Sequence, residues 1–145
     1  MPTFKTGEMF RAPGVIIVTT NSFLTSEVKV VMGRGAAWQL KRKKPGIEIT
    51  FGKMILDTCG HLGRYGLMFH GKYGAAQVKY HFMEIADLDL IGFSMIKLSL
   101  EAKKDSKTIF NINYPGIGNG RLKESDVEPA IRTLPDNVHV WKKGR

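Results

Sequence analysis

The chain of 145 residues has one cysteine, Cys59, and no apolar run that approaches the ~20 residues of a membrane span. A single thiol cannot form an internal disulfide, so stability must come from packing. We expect Cys59 to be a small core residue rather than a nucleophile. The N-terminus has no basic region followed by an apolar run, so we expect a cytoplasmic protein with no membrane partner.

Acidic residues are scarce. There are 13 Asp and Glu against 22 Lys and Arg, which gives a formal net charge of +9. A field of that sign attracts phosphorylated partners, nucleotides and nucleic acids alike. The densest basic cluster, Lys41 to Lys44, closes a predicted helix, where cations complement the helix dipole. Contact with nucleic acid is the alternative, and the basic run at 141–145 is open between a solvated tail and such a contact.

Several catalytic motifs are missing. The histidines have no metal-ligand spacing with Cys59 or a carboxylate, so we expect no metal site. There is no Gly-x-Ser-x-Gly elbow, and neither glycine loop ends in the Gly-Lys-Ser or Gly-Lys-Thr of a P-loop. A dinucleotide fingerprint would directly follow the first strand, whereas residues 21–31 separate that strand from Gly33. We therefore expect no cofactor.

Two glycine-rich loops, residues 32–37 and 115–120, each follow an apolar run typical of a buried strand. Glycine lets successive backbone N–H groups turn toward an anion, and a following helix adds the positive end of its dipole. One such loop also occurs in proteins that bind nothing. Two at strand ends in a short chain predict a diphosphate site.

The apolar periodicity alternates between strand and helix along the chain. It predicts strands over 15–18, 65–69, 78–82, 107–113 and 138–141, and helices over 35–43, 47–59, 87–103 and 124–134. Such alternation is typical of a mainly parallel sheet covered on both faces, and the length fits one domain spanning 1–145. Ligands of such sheets bind outside the carboxyl ends of the strands, so both glycine loops should lie on one rim.

The stretches 15–44 and 115–141 resemble the two halves of a macro domain, with Gly7-Glu8 where that family usually has Gly-Asp. The likeness is to the branch of terminal ADP-ribose glycohydrolases and antitoxins that reverse DNA ADP-ribosylation, phage-encoded members included. It implies a three-layer α/β/α fold with a central mixed, mainly parallel sheet. It also implies a partner that is ADP-ribose or an ADP-ribosylated macromolecule.

The resemblance assigns ligand contacts by position. Asn21 would lie near the distal ribose, residues 33–36 against that ribose and the diphosphate, and residues 117–120 around the diphosphate from the other side. Glu8 would take the acidic position beside adenine. The full set implied as ligand-binding is Glu8, Thr20, Asn21, Met32, Gly33, Arg34, Gly35, Ala36, Gly116, Ile117, Gly118, Asn119 and Gly120.

Catalysis in the hydrolytic members uses a strand-end lysine and an Asp just after the second glycine loop. Lys72 matches the lysine, with a solvated hairpin turn as its alternative. The Asp is not matched, because the nearest acids, Glu124 and Asp126, fit helix N-cap or first-turn roles. We expect a monomer that binds ADP-ribose, with hydrolysis left open. The rival function is a basic nucleic-acid-binding module whose glycine loops are only structural.

Overall fold

The computed structural model describes residues 1–143 and contains six strands and four α-helices in that range. The strands are β1 Thr3–Thr6, β2 Val15–Thr20, β3 Leu67–His70, β4 Tyr73–Gln77, β5 Phe110–Asn113 and β6 Val138–Lys142. The helices are α1 Gly35–Lys43, α2 Ile47–Thr58, α3 Leu88–Lys104 and α4 Glu124–Ile131. Two 3-10 turns lie at Met9–Arg11 and Gly118–Gly120.

All six strands form one sheet, in the order β1-β6-β5-β2-β4-β3. Four of the neighbouring pairs are parallel, and only the β3–β4 hairpin is antiparallel. The mixed, mainly parallel sheet expected from the sequence is confirmed. Because β2 and β5 are parallel neighbours, the loops that follow them leave the sheet side by side, at the carboxyl ends of the strands.

The sheet separates two hydrophobic cores. On one face Ile17, Ile112 and Val140 pack with α3 and α4. On the other, Ile16 and Val18 pack with α1 and α2. The β2 sequence is a continuous apolar run because both of its faces are buried, as in other parallel sheets. The three-layer α/β/α arrangement is therefore confirmed.

The strand predicted over 78–82 is wrong. The strand at this place is β4, which ends at Gln77 and is built from small residues. Gly74, Ala75 and Ala76 lack the β-branched pattern that predicts a strand, yet all three are buried. A Cβ built on Gly74 would lie 2.9 Å from the Phe69 ring and 3.1 Å from Ile17 Cγ1. Side chains of the neighbouring strands β2 and β3 therefore leave room only for small residues, which carry no strand signal.

The two chain ends also differ from expectation. The edge strand β1 was not predicted, because three of its four residues are exposed and show no alternation. At the other end, β6 includes Trp141, as the strand predicted over 138–141 does, and extends to Lys142, so the solvated-tail interpretation is wrong for these two residues. Gly144 and Arg145, the end of that basic run, lie outside the described residues. Within residues 1–143, no helix is both long and apolar enough to cross a bilayer.

Candidate ligand cleft

The two glycine-rich loops meet at the carboxyl edge of the sheet. The first leads from β2 into α1, and the second follows β5. A Cβ built on Gly35 would lie 3.3 Å from Asn119 Nδ2, so the two loops are adjacent. The predicted placement on one rim is what the structure shows.

Thr20 and Asn21 fasten the first loop to the end of β2. The Asn21 side chain donates from Nδ2 to the Val31 carbonyl at 2.9 Å and accepts the Phe23 N–H at 2.9 Å. Thr20 Oγ1 donates to the same Val31 carbonyl at 3.4 Å. Both side chains are buried. Their hydrogen bonds hold the chain that delivers residues 32–36 to the rim.

The first loop exposes backbone rather than side chains. Met32 is 2% exposed and lies in the core beside α1, so a ligand contact there would come from its backbone. Gly33 is exposed with open space around its Cα, and Gly35 has φ +61, a value that favours glycine. Arg34 occupies the N-cap of α1 without a side-chain cap. The first N–H groups of α1 therefore lack a capping side chain, as at helix starts that receive anions.

The second loop combines a buried anchor with an exposed tip. Gly116 has φ +81, and a Cβ there would lie 2.7 Å from the Ile91 side chain. Gly120 is buried, and its carbonyl accepts the Ala86 N–H at 2.9 Å. Gly118, at φ +65, and Asn119 are exposed at the tip. The anchor fixes the loop from below, which leaves the tip facing the first loop.

A buried lysine, Lys79, lies behind the second loop. It follows β4 by two residues and is 9% exposed. Its Nζ donates to the carbonyls of Asn119 at 3.3 Å, Phe82 at 3.3 Å and Glu84 at 3.2 Å. One ammonium thus joins the segment after β4 to the second glycine loop. Sequence reasoning missed it, because the strand predicted over 78–82 placed Lys79 inside a strand and not after the end of one.

The surroundings of Lys79 are electropositive. Burial lowers the pKa of its ammonium below the ordinary 10.5, and the cations of Arg121 and Arg34 lower it further. Glu84 acts in the opposite direction, with an effect smaller than that of Arg121 and larger than that of Arg34. Three basic groups therefore converge where the glycine loops meet, and a bound anion would relieve their mutual repulsion.

Lys72 lies at the amino ends of the parallel strands, opposite the glycine loops. It is exposed in the turn between β3 and β4, and its carbonyl accepts the N–H of Ile16 near the start of β2. The five residues of β4 separate it from the carboxyl edge, a distance of ~17 Å at 3.3 Å per residue. The expectation that Lys72 lies on the ligand rim is wrong. It arose because the end of the strand predicted over 65–69 was expected to lie on the rim, whereas β3 runs antiparallel to β4 and ends on the opposite side.

The acids after the second loop stabilise α4. Asp126 accepts the Lys123 N–H at 3.2 Å at the start of the helix, and Glu124 pairs with Lys142 at 3.1 Å. The first-turn role expected for both acids is confirmed. Among the residues described, no three His, Cys or carboxylate side chains come together as a metal site.

Glu8 lies at the carboxyl ends of the strands, as the loops do, but beside the outermost strand, β1. It is exposed after β1 and lines a hollow of about 400 Å³ with Arg11, His139 and Trp141. Two strand spacings, or ~10 Å, separate β1 from β5. A second hollow, of about 490 Å³, lies between β1 and α4. Neither hollow includes the glycine loops, so Glu8 could join them only through an elongated ligand.

An aromatic cluster joins the residues after β2 to those that follow Lys79. The Phe23 ring lies 4.8 Å from His61, 4.7 Å from His81 and 5.0 Å from Phe82, and His81 stacks on Phe82 at 4.6 Å. Phe23 comes two residues after Asn21, so the cluster borders the end of β2. Sequence reasoning missed this cluster, because its members come from three separate segments.

The sheet and its two loops place the chain among the open-sheet α/β proteins, whose ligands bind outside the carboxyl ends of the strands. The macrodomain of Mycobacterium tuberculosis DarG is 24% identical over 99% of each chain, with a TM-score of 0.75. The macrodomain of Thermus aquaticus DarG is 22% identical over 100% of this chain and 99% of its own, with a TM-score of 0.74. This chain therefore has the macrodomain fold.

A third similar structure is described as Thermosipho africanus DarTG in complex with ADP-ribose. It is 18% identical, with a TM-score of 0.74, over 98% of this chain and 42% of that one. No family model and no curated protein matches this chain. The similarity of this chain to these proteins is therefore a similarity of three-dimensional fold.

Proposed function

We propose that this protein binds ADP-ribose, free or attached to a larger molecule, between its two glycine-rich loops. The observation that carries the proposal is that the two loops lie next to each other, beside Lys79, Arg34 and Arg121. A diphosphate satisfies both features, because its oxygens accept backbone N–H groups and its charge offsets the three cations. The complex of Thermosipho africanus DarTG with ADP-ribose, on the same fold, supports this choice of ligand.

The length of ADP-ribose fits the layout of the edge. With the diphosphate between the loops, the adenosine end would extend past β6 toward Glu8, ~10 Å away. The distal ribose would then lie on the other side, toward the end of β2 and Lys79. This orientation accounts for an acidic residue at one end of the site and a buried amine at the other.

We further propose that the protein hydrolyses the bond from the anomeric carbon of the distal ribose to its acceptor. Water supplies the new oxygen, the broken bond's electron pair leaves with the acceptor, and the acceptor takes a proton. Lys79 is the candidate catalytic residue. Its lowered pKa increases the fraction of neutral amine, which can take a proton from the attacking water. Alternatively, the amine displaces the acceptor from the anomeric carbon, and water then breaks the new C–N bond and frees the lysine.

The macromolecule that carries the ADP-ribosyl group is proposed to be a nucleic acid. The net charge of +9 supports a polyanionic partner. Lys43 and Lys44 are exposed at the far end of α1, whereas Lys41 lies 3.9 Å from Glu48 and Arg42 stacks over Trp38. The nine residues of α1 place this cluster ~13 Å from the first loop, outside the proposed cleft.

Calorimetric titration tests the binding proposal. ADP-ribose should bind more tightly than ADP, because ADP lacks the distal ribose that would contact the end of β2. Equal affinity for the two ligands would contradict the orientation, and no binding of ADP-ribose would contradict the function.

A titration with single-stranded DNA at two salt concentrations tests the nucleic-acid partner. Replacing Lys43 and Lys44 with Gln should weaken DNA binding and flatten its salt dependence while ADP-ribose affinity is unchanged. An unchanged salt slope would remove these two lysines from the nucleic-acid interface.

A further inference from the structure

The outer face of α3 exposes large apolar side chains over its central turns. Ile96 is 63% exposed and Leu100 is 56% exposed, and the partly buried Phe93 ring adjoins them on the same helix. Isolated exposed apolar residues are common on soluble proteins, whereas adjacent ones indicate a contact surface. On α2, by contrast, Lys53 lies between the exposed residues Ile49 and Leu56.

The residues on this face are arranged symmetrically about Ile96. Gly92 and Leu100 stand four residues before and after it, and Asp89 and Lys103 stand seven residues before and after it. At ~100° per residue, all five lie within ~80° of the helix circumference. The face therefore has an acid at one end, a base at the other, and a space and a large side chain at matching distances from the centre.

We propose that a second copy of this chain docks here, with the two α3 helices antiparallel and a two-fold axis at Ile96. In such a contact each residue i meets residue j of the other copy, and j meets i. Ile96 packs on Ile96 of the other copy. Leu100 lies over Gly92, and Asp89 faces Lys103, each twice.

Space and charge both favour this occupant. A Cβ built on Gly92 meets no atom within 4 Å, so the helix surface is open where Leu100 of the other copy would lie. Asp89 and Lys103 are exposed, and among residues 1–143 neither takes part in an ion pair. An antiparallel pair of identical helices joins them, whereas a parallel pair would oppose Asp89 to Asp89.

The contact is expected to be small and dependent on concentration. The 17 residues of α3 give a seam ~25 Å long, at the small end of specific interfaces. Each copy carries a net charge of +9, so long-range repulsion opposes association at low salt. Association should therefore be measured near physiological salt.

Sedimentation velocity over a hundredfold concentration range tests the proposal. The wild type should shift from the mass of one chain, 16.2 kDa, toward twice that mass. Ile96→Lys should remain at the mass of one chain, and the matched change Leu56→Lys on α2 should behave as wild type. A wild type that keeps the mass of one chain throughout, the monomer expected from the sequence, would overturn the proposal. Association that is unchanged in Ile96→Lys would also overturn it.

Charge exchange tests the orientation of the two helices. Asp89→Lys and Lys103→Asp alone should each weaken association, and the double exchange should restore it. A double variant as weak as the single ones would reject the antiparallel pairing. ADP-ribose affinity of Ile96→Lys should equal that of the wild type, because α3 presents this face away from the glycine loops. Failure of the dimer and failure of the proposed function are thus separate results.

Discussion

Asn113 joins β5 to β2 beyond the last backbone pair of the two strands. Its Oδ1 accepts the N–H of Thr19 at 2.9 Å, and its Nδ2 donates to Thr19 Oγ1 at 2.8 Å. The backbone register of these strands extends only to Ile17 and Ile112. One side chain therefore sets the distance between the two strand ends that carry the glycine loops.

Asn113→Ala should lower both stability and ligand affinity. The Thr19 N–H would lose its partner, which costs about 1–2 kcal/mol of unfolding free energy in a partly buried position. Asn113→Asp keeps the acceptor and loses only the donor, so its effect should be intermediate. Urea unfolding and ADP-ribose calorimetry measure the two effects. An unfolding midpoint equal to wild type in Asn113→Ala would show that the link is not stabilising.

Gly33→Val should abolish ADP-ribose binding without unfolding the protein. A Cβ at this position meets no protein atom within 4 Å, and φ at Gly33 lies outside the left-handed range. The added side chain would instead occupy the space of the diphosphate. We expect affinity to fall by about 100-fold or more, which corresponds to about 2.7 kcal/mol. Gly92→Val on α3 is the matched control and should bind normally, so equal losses in both variants would refute the placement.

Lys79→Met should abolish release of ADP-ribose, while Lys72→Ala should not change it. Methionine fills a similar volume but has no amine, so the predicted loss is about 10²–10⁴-fold in rate, the range of acid–base catalysis. Lys72 is an exposed lysine at the opposite edge of the sheet. A time course with ADP-ribosylated DNA measures the rates. Equal rates in wild type and Lys79→Met would remove Lys79 from the mechanism.

The rate should rise with pH and level off below the ordinary lysine pKa of 10.5. The neutral amine is the reactive form, and its fraction increases tenfold per pH unit until the pKa of Lys79 is reached. Burial and two neighbouring arginines lower that pKa, so the plateau begins earlier than for a solvated lysine. Arg121→Gln removes one cation and should move the plateau to higher pH. A shift to lower pH would contradict the assigned cause.

Gly92→Ala should stabilise the protein. Gly92 lies inside α3, has open space for a methyl group and does not have a positive φ. Glycine in a helix interior costs roughly 0.5–1 kcal/mol relative to alanine because its unfolded chain is more flexible. Thermal unfolding at low protein concentration should show a midpoint higher by about 2–4 °C. A lower midpoint would mean that the monomer itself requires glycine there.

Local sequence determined most of the elements. The helix predicted over 35–43 coincides with α1, because a glycine start and a basic end before Pro45-Gly46 are both local signals. The Val15–Val18 run predicted β2 because a strand buried on both faces needs only apolar residues. The glycine loops were also recognisable from local sequence, because glycine itself marks the positions where the backbone needs conformational freedom.

Tertiary structure decided where β4 begins and which lysine lies beside the second glycine loop. The small residues of β4 form a strand because they pair with β2 and β3, and Phe69 and Ile17 leave no room for a larger side chain at Gly74. With this start of β4, Lys72 lies at the amino ends of the parallel strands and Lys79 lies at their carboxyl ends. Lys79 is distinguished from the other lysines by its burial and its bond to Asn119, a residue 40 positions away. Local patterns report conformation, whereas the position of a charge within a site depends on contacts between distant segments.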